Sequence, residues 1–238
     1  LRRPVRLVRS ADGPFELSGL LDGGIQALLF DMDGTLLDSV PQSGQAGSAA
    51  LAKYGYQASP DAIIDAIGSR LFVEVIPDWF DTDAEETQQI FQEFRRMYYE
   101  EFVTQASSFP HAAELLQQLC DDGYRLAIVT NRSEVGAHSG VKWAGWEQHF
   151  EVVVGQDTAA RAKPYPDPAH FALEALGVEP GAAAFIGDNE TDIRCGATAG
   201  LAAVVAIAQG DKADLLRSIG ATHVSADLHG LHELFYGM

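Results

Sequence analysis

The chain has 238 residues, with 34 acidic against 16 basic side chains and a formal net charge of −18. That length allows one or two domains and burial of roughly 70% of the unfolded surface, so no disulfide or metal staple is needed for folding. No apolar run reaches the roughly 18 residues a membrane-spanning helix requires, and so acidic a body repels nucleic acid and anionic lipid.

Four of the basic residues, Arg2, Arg3, Arg6 and Arg9, lie in the first ten positions, so the rest of the chain is still more acidic. Residues 1–24 read as an extension outside the fold. The first strand signal is the apolar run Ala27–Phe30, which ends in Asp31-Met32-Asp33-Gly34-Thr35. Residues 41–105 then carry no strand signal of comparable strength. Helices are expected near 42–54, 60–67, 70–79 and 84–103, the last opened by a capping box of Thr82 and Glu85. Its apolar face is Phe91, Phe94, Tyr98 and Phe102. Ile67-Gly68-Ser69-Arg70 reads as a loop between two of these helices, with Arg70 its only cation.

Beyond residue 105 the pattern alternates. Ala112, Leu115, Leu116 and Leu119 follow helical spacing up to Gly123, and the run Arg125–Thr130 reads as a strand. Val152–Gly155 is a further strand. Ala169, Ala172, Leu173 and Leu176 repeat the helical spacing up to Gly177, followed by strands at Ala183–Gly187 and Leu201–Ile207. Continuous rather than alternating apolar runs indicate strands buried on both faces. The fold expected is α/β, a Rossmann-like open parallel sheet built from residues 25–40 and 106–238, with an all-helical cap domain inserted at 41–105. Cys120 and Cys195, far apart among apolar neighbours, read as buried thiols suited to a reducing, cytoplasmic setting.

In such sheets ligands bind beyond the carboxyl ends of the strands. The first strand ends in two carboxylates, Asp31 and Asp33, with Gly34 free to aim backbone amides at an anion. The second ends in Thr130-Asn131, able to hold a phosphate oxygen or to cap a helix. Lys163-Pro164 follows the third, and Gly187-Asp188-Asn189-Glu190-Thr191-Asp192 ends the fourth. A calcium-binding EF-hand loop is excluded for this last stretch, because Ile193 stands where Gly is needed and Ala199 where the closing Glu is needed.

Together, in this order, these stretches resemble the haloacid dehalogenase superfamily. Asp31-Met32-Asp33-Gly34-Thr35 is similar to its first motif, Thr130 to its second, Lys163 to its third, and Gly187-Asp188 through Asp192 to its fourth. The inserted helices resemble the branch containing phosphoglycolate phosphatases and β-phosphoglucomutases, although Phe109-Pro110-His111 stands where that branch usually has Pro-Gly. The resemblance implies a phosphatase acting on a small phosphorylated metabolite. Asp31 is implied as nucleophile and Asp33 as general acid and base. Thr130, Asn131, Gly34 and Lys163 are implied to bind the phosphoryl group. Mg²⁺ is implied as cofactor, on Asp31, Asp188 and the Asp33 carbonyl, with Asp192 orienting its shell. Charge supports a cation: two like charges at 4 Å repel by roughly 4 kcal/mol at an effective dielectric of 20, and one lysine does not offset three carboxylates and a phosphate. Arg70 is a candidate for a second anionic group on the substrate.

A phosphomutase of the β-phosphoglucomutase type and a phospho-acceptor module like response-regulator receivers are the alternatives. His229 and His232 read as a surface helix face, Trp143 and Trp146 as packing, and Ser39 as a turn residue.

Overall fold

The structure is a computed structural model that describes residues 24–67 and 71–236. The N-terminal extension up to residue 23 and the Arg70 loop therefore lie outside the described residues. Six parallel strands form the main sheet: β1 (Ala27–Phe30), β4 (Arg125–Val129), β5 (Val152–Val154), β6 (Ala183–Gly187), β7 (Ala203–Ile207) and β8 (His223–Ser225), in the spatial order β5-β4-β1-β6-β7-β8. The register sets Phe30 beside Ile128 on one side and Ile186 on the other. The chain leaves β1 toward β4 and β5, then returns to β6 on the other flank. The carboxyl ends of β1 and β6 thus flank a topological switch point, where loops diverge and leave a crevice.

Burial on both faces explains the apolar runs. Leu28 and Phe30 face one layer, with Leu116 and Leu119 of α5 (Ala112–Asp121), Val141 of α6 (Glu134–Trp143) and Leu231 of α10 (Leu228–Tyr236). Ala27 and Leu29 face the other, with Leu173 of α7 (Asp167–Leu176), Ile193 of α8 (Glu190–Thr198) and Leu216 of α9 (Gly210–Ser218). Left-handed Gly123 and Gly177 end α5 and α7, as their spacing predicts.

Between β1 and β4 lie α1 (Val40–Lys53), α2 (Pro60–Ile67), α3 (Phe72–Trp79) and α4 (Ala84–Met97). They pack on one another around Leu51, Ile63, Phe72, Ile76 and Ile90, a core separate from those on the sheet. The two chain crossings are tied by a short antiparallel pair, β2 (Leu37–Asp38) with β3 (Ser107–Ser108).

Several sequence expectations are corrected. The cap of α4 is Asp83, whose carboxylate accepts from Glu86 N at 2.8 Å, while Thr82 bonds Thr87 instead. An acid one residue closer to the first turn is the better acceptor. The helix expected to run to 103 stops at Met97 and continues as a π turn over Tyr98–Phe102 and a 3-10 turn over Val103–Gln105. Strands expected at Arg125–Thr130, Val152–Gly155 and Leu201–Ile207 are shorter, because Thr130 and Gly155 already belong to the diverging loops. β2, β3 and β8 are too short and too polar to signal themselves. Trp146 is buried in the core, but Trp143 is exposed. His111 takes the left-handed conformation (φ 66°) at the start of α5, which shows why glycine suits this corner. Among the described residues, both cysteines are free and no helix is long and apolar enough to cross a membrane.

Candidate active site

One cavity of about 370 Å³ opens at the switch point, lined by Asp31, Asp33, Gly34, Thr130, Asn131, Lys163, Asp188 and Asp192. These eight residues, from all four of the strand ends singled out in the sequence, therefore share one cavity. Ile64, Ile67, Tyr98 and Tyr99 close it from the helical layer.

Asp31, Asp188 and Asp192 each bring a carboxylate oxygen within 4.8 Å of the others. Two glycines permit this approach. Gly34 sits at φ +84°, and a Cβ there would lie 2.6 Å from Asp188 Oδ1. A side chain at Gly187 would collide with Asp192. Asp188 also accepts from Thr35 Oγ1 at 3.2 Å. Both oxygens of Asp192 are engaged, Oδ1 by Lys163 Nζ at 2.5 Å and Oδ2 by Asn189 N at 2.9 Å.

Lys163 Nζ also donates to Asp31 Oδ1 at 2.6 Å. All three side chains are buried. Burial opposes the Lys163 charge, yet Asp192 and Asp31 hold the ammonium protonated, with its pKa above the usual lysine value. Burial, then Asp192, push the Asp31 carboxyl well above its usual value against the pull of Lys163. Burial and Asp192 also raise Asp188. The cluster is short of positive charge, which is the condition under which a divalent cation binds.

Asp33 has a different environment. Its carboxylate accepts from Arg132 Nε at 2.5 Å and from Arg132 Nη2, from Ser39 Oγ at 2.6 Å, and from Tyr98 OH at 2.9 Å. Burial opposes ionisation, but the Arg132 guanidinium and the two hydroxyls hold the Asp33 carboxyl below its usual value. Asp33 is thus a carboxylate here, not the protonated acid that the first half of the implied reaction needs. The π turn matters locally: Tyr98 reaches Asp33 while the next residue, Tyr99, donates to the Asn131 carbonyl at 3.4 Å. Asn131 Nδ2 in turn donates to the Lys163 carbonyl at 3.3 Å, and Thr130 Oγ1 accepts from Arg132 N at 3.2 Å.

Sequence reasoning missed five participants: Ser39, Tyr98, Tyr99, Arg132 and Lys212. Arg132 and Lys212 carried a usable signal, as scarce cations close behind strands β4 and β7. Ser39, read as a turn residue, is a buried donor to Asp33. The tyrosines follow the apolar helical pattern, which says nothing of where a hydroxyl ends. His232 bonds Gln118, and the His229 ring lies 5.3 Å from that of His111, in keeping with a surface role.

The haloacid dehalogenase-like hydrolase profile matches residues 28–206. A phosphoglycolate phosphatase from Xanthomonas campestris pv. campestris is 35% identical over 185 residues, covering 76% of this chain and 83% of that protein. The pyrophosphatase PpaX of Bacillus pumilus is 33% identical over 178 residues, covering 74% of this chain and 80% of its own. A solved haloacid dehalogenase-like hydrolase from Streptococcus pneumoniae shares the fold with a TM-score of 0.76 at 24% identity, over 90% of this chain and 99% of that one. The chain belongs to the haloacid dehalogenase-like hydrolase family.

Proposed function

We propose that this protein is a Mg²⁺-dependent phosphatase that hydrolyses small phosphorylated metabolites through an aspartyl-phosphate on Asp31. The observation that carries the reading is the convergence of Asp31, Asp188 and Asp192 within 4.8 Å of one another, with the ammonium of Lys163 bridging Asp31 and Asp192. An all-oxygen, cation-poor donor set fits a hard divalent ion. Asp31, Asp188 and the Asp33 carbonyl would hold it. Asp192, with both oxygens already engaged, orients the surroundings through Lys163. Bound there, Mg²⁺ supplies charge that offsets the transferring phosphoryl group.

In this reading an Asp31 oxygen attacks phosphorus, the phosphorus–oxygen ester bond breaks, and the leaving oxygen takes a proton. Lys163, Thr130, Asn131 and the amides around Gly34 hold the phosphoryl oxygens. Asp33 then removes a proton from the water that opens the aspartyl-phosphate. Its ionised state suits the second step. To serve as acid in the first, Asp33 must leave the Arg132 clamp and gain a proton. We assign residues 41–105 as the cap, since Ile64, Ile67, Tyr98 and Tyr99 wall the cavity opposite the strand ends and would exclude water on closure.

The cavity size and the names of the relatives support a small substrate. The test is phosphate release from a panel including phosphoglycolate, pyrophosphate and hexose phosphates, with Mg²⁺ and after chelation. Metal-dependent release with at least one small ester is expected. Release undiminished by chelation removes Mg²⁺ from the reading. Isomer formed without phosphate release makes the enzyme a mutase. A stable aspartyl-phosphate without turnover makes it a phospho-acceptor module.

A further inference from the structure

Lys163 serves Asp31 and Asp192 but not the third carboxylate. Asp188 has its own cation: its Oδ2 accepts from Lys212 Nζ at 3.0 Å. Lys212 is the third residue of α9, the helix after β7, so it reaches the cluster from one strand further along the sheet.

The two lysines differ in burial. The Lys163 side chain is 2% exposed and wedged between two buried carboxylates. The Lys212 side chain is 49% exposed, against 15% for Asp188. One cation is locked in place, whereas the other hangs on a flexible, solvated stem. Lys212 also lines a second cavity, of about 530 Å³, that abuts the first and is walled by Phe109, His111, Ile207, Leu228 and His229. Lys212 and Asp188 both line both cavities, so the pair stands at their junction and the half-exposed Lys212 side chain borders the second one.

We propose that Lys212 is an internal counter-ion: it occupies Asp188 while the site is metal-free, is displaced toward the second cavity when a divalent cation takes that carboxylate, and so sets the metal affinity of the site. The proposal rests on the metal reading above. Its physical basis is competition. A divalent ion on Asp188 would lie within a few ångströms of the ammonium, where like charges repel and where the Lys212–Asp188 pair has to be given up. Lys163 cannot play this part, because its departure would strand two buried carboxylates.

The test is calorimetric titration of Mg²⁺ into the purified full chain in phosphate-free buffer, with four proteins compared. Lys212→Met is expected to bind roughly tenfold more tightly than wild type, the combined effect of a lost surface pair and a lost repulsion. Lys212→Arg keeps the charge and is expected within about twofold of wild type. Arg194→Gln removes an equal charge from an exposed pair with Glu190 on α8, and controls for net charge. It is expected to change affinity by less than about threefold. Unchanged or weaker binding by Lys212→Met overturns the proposal. So does an equal gain in Arg194→Gln, which would reduce the effect to net charge. If none of the four proteins, wild type included, binds Mg²⁺, the metal reading itself falls and this inference with it.

Discussion

The Tyr98 hydroxyl, on the first residue of the π turn that follows α4, donates to Asp33 Oδ1 across 65 positions of sequence at 2.9 Å. This bond joins the helical layer to the carboxylate assigned as acid and base. Asp33 therefore reports where the helices stand, since its hydrogen-bond shell is complete only with Tyr98 in place.

Tyr98→Phe removes that donor and keeps the ring, which stacks with Phe94. Stability is expected to fall by about 1.5–3 kcal/mol, as for a hydrogen bond to a charged group. The kcat for an active ester is expected to drop severalfold while KM moves less than about twofold. Urea unfolding and steady-state kinetics check both. If neither changes, the bond contributes nothing in solution.

Lys163→Met leaves Asp31 and Asp192 buried and uncompensated. A loss of about 3–5 kcal/mol is expected, a fall in Tm on the order of 10 °C for a chain of this size. Activity is expected to vanish. A thermal melt with and without Mg²⁺ measures the effect, and added Mg²⁺ should restore part of the lost stability. A variant that melts with the wild type would show that the buried triad is not formed.

Gly34→Ala places a methyl group against Asp188 and forces a side chain onto a backbone at φ +84°. The strain and the collision both act on the cluster, and a stability loss of about 1–3 kcal/mol is expected. Mg²⁺ binding is expected to weaken at least tenfold by calorimetry. Affinity equal to wild type would mean that the Gly34 loop and Asp188 do not approach as described.

Glu93 gives a pH prediction remote from the site. Hydrogen bonds from Arg96 and Lys53 hold its carboxyl down to about 2. A folded pKa below the unfolded value means stability that is full above about pH 4.5 and is lost as pH falls toward 2. Both cations are largely exposed, so the contribution at pH 7 is about 0.5–1 kcal/mol. The stability gap between wild type and Glu93→Gln, read by urea unfolding, is expected at pH 7 and should narrow as pH falls from 5 to 3. A gap that widens with acid reverses the sign and refutes the pairing.

Asp31, Asp33, Thr130, Lys163, Asp188 and Asp192 were legible in the sequence because each lies in the segment that follows a buried apolar run, and a parallel sheet gathers such ends on one side. The partition into sheet-forming and helix-forming stretches was legible for the same reason: the period of apolar residues sets which face is buried, and this is a local property. Arg132, Ser39, Tyr98 and Lys212 were not legible as a group. Their role depends on which carboxylate each donor meets, and Tyr98 and Arg132 come from segments far from Asp33 in the chain. The ionisation of Asp33 was decided only by tertiary structure, because a carboxyl's charge depends on the donors packed around it. Local pattern thus determined the elements and the acidic strand ends, while their three-dimensional approach decided how charge is divided among them: Lys163 for Asp31 and Asp192, Arg132 for Asp33, and Lys212 for Asp188.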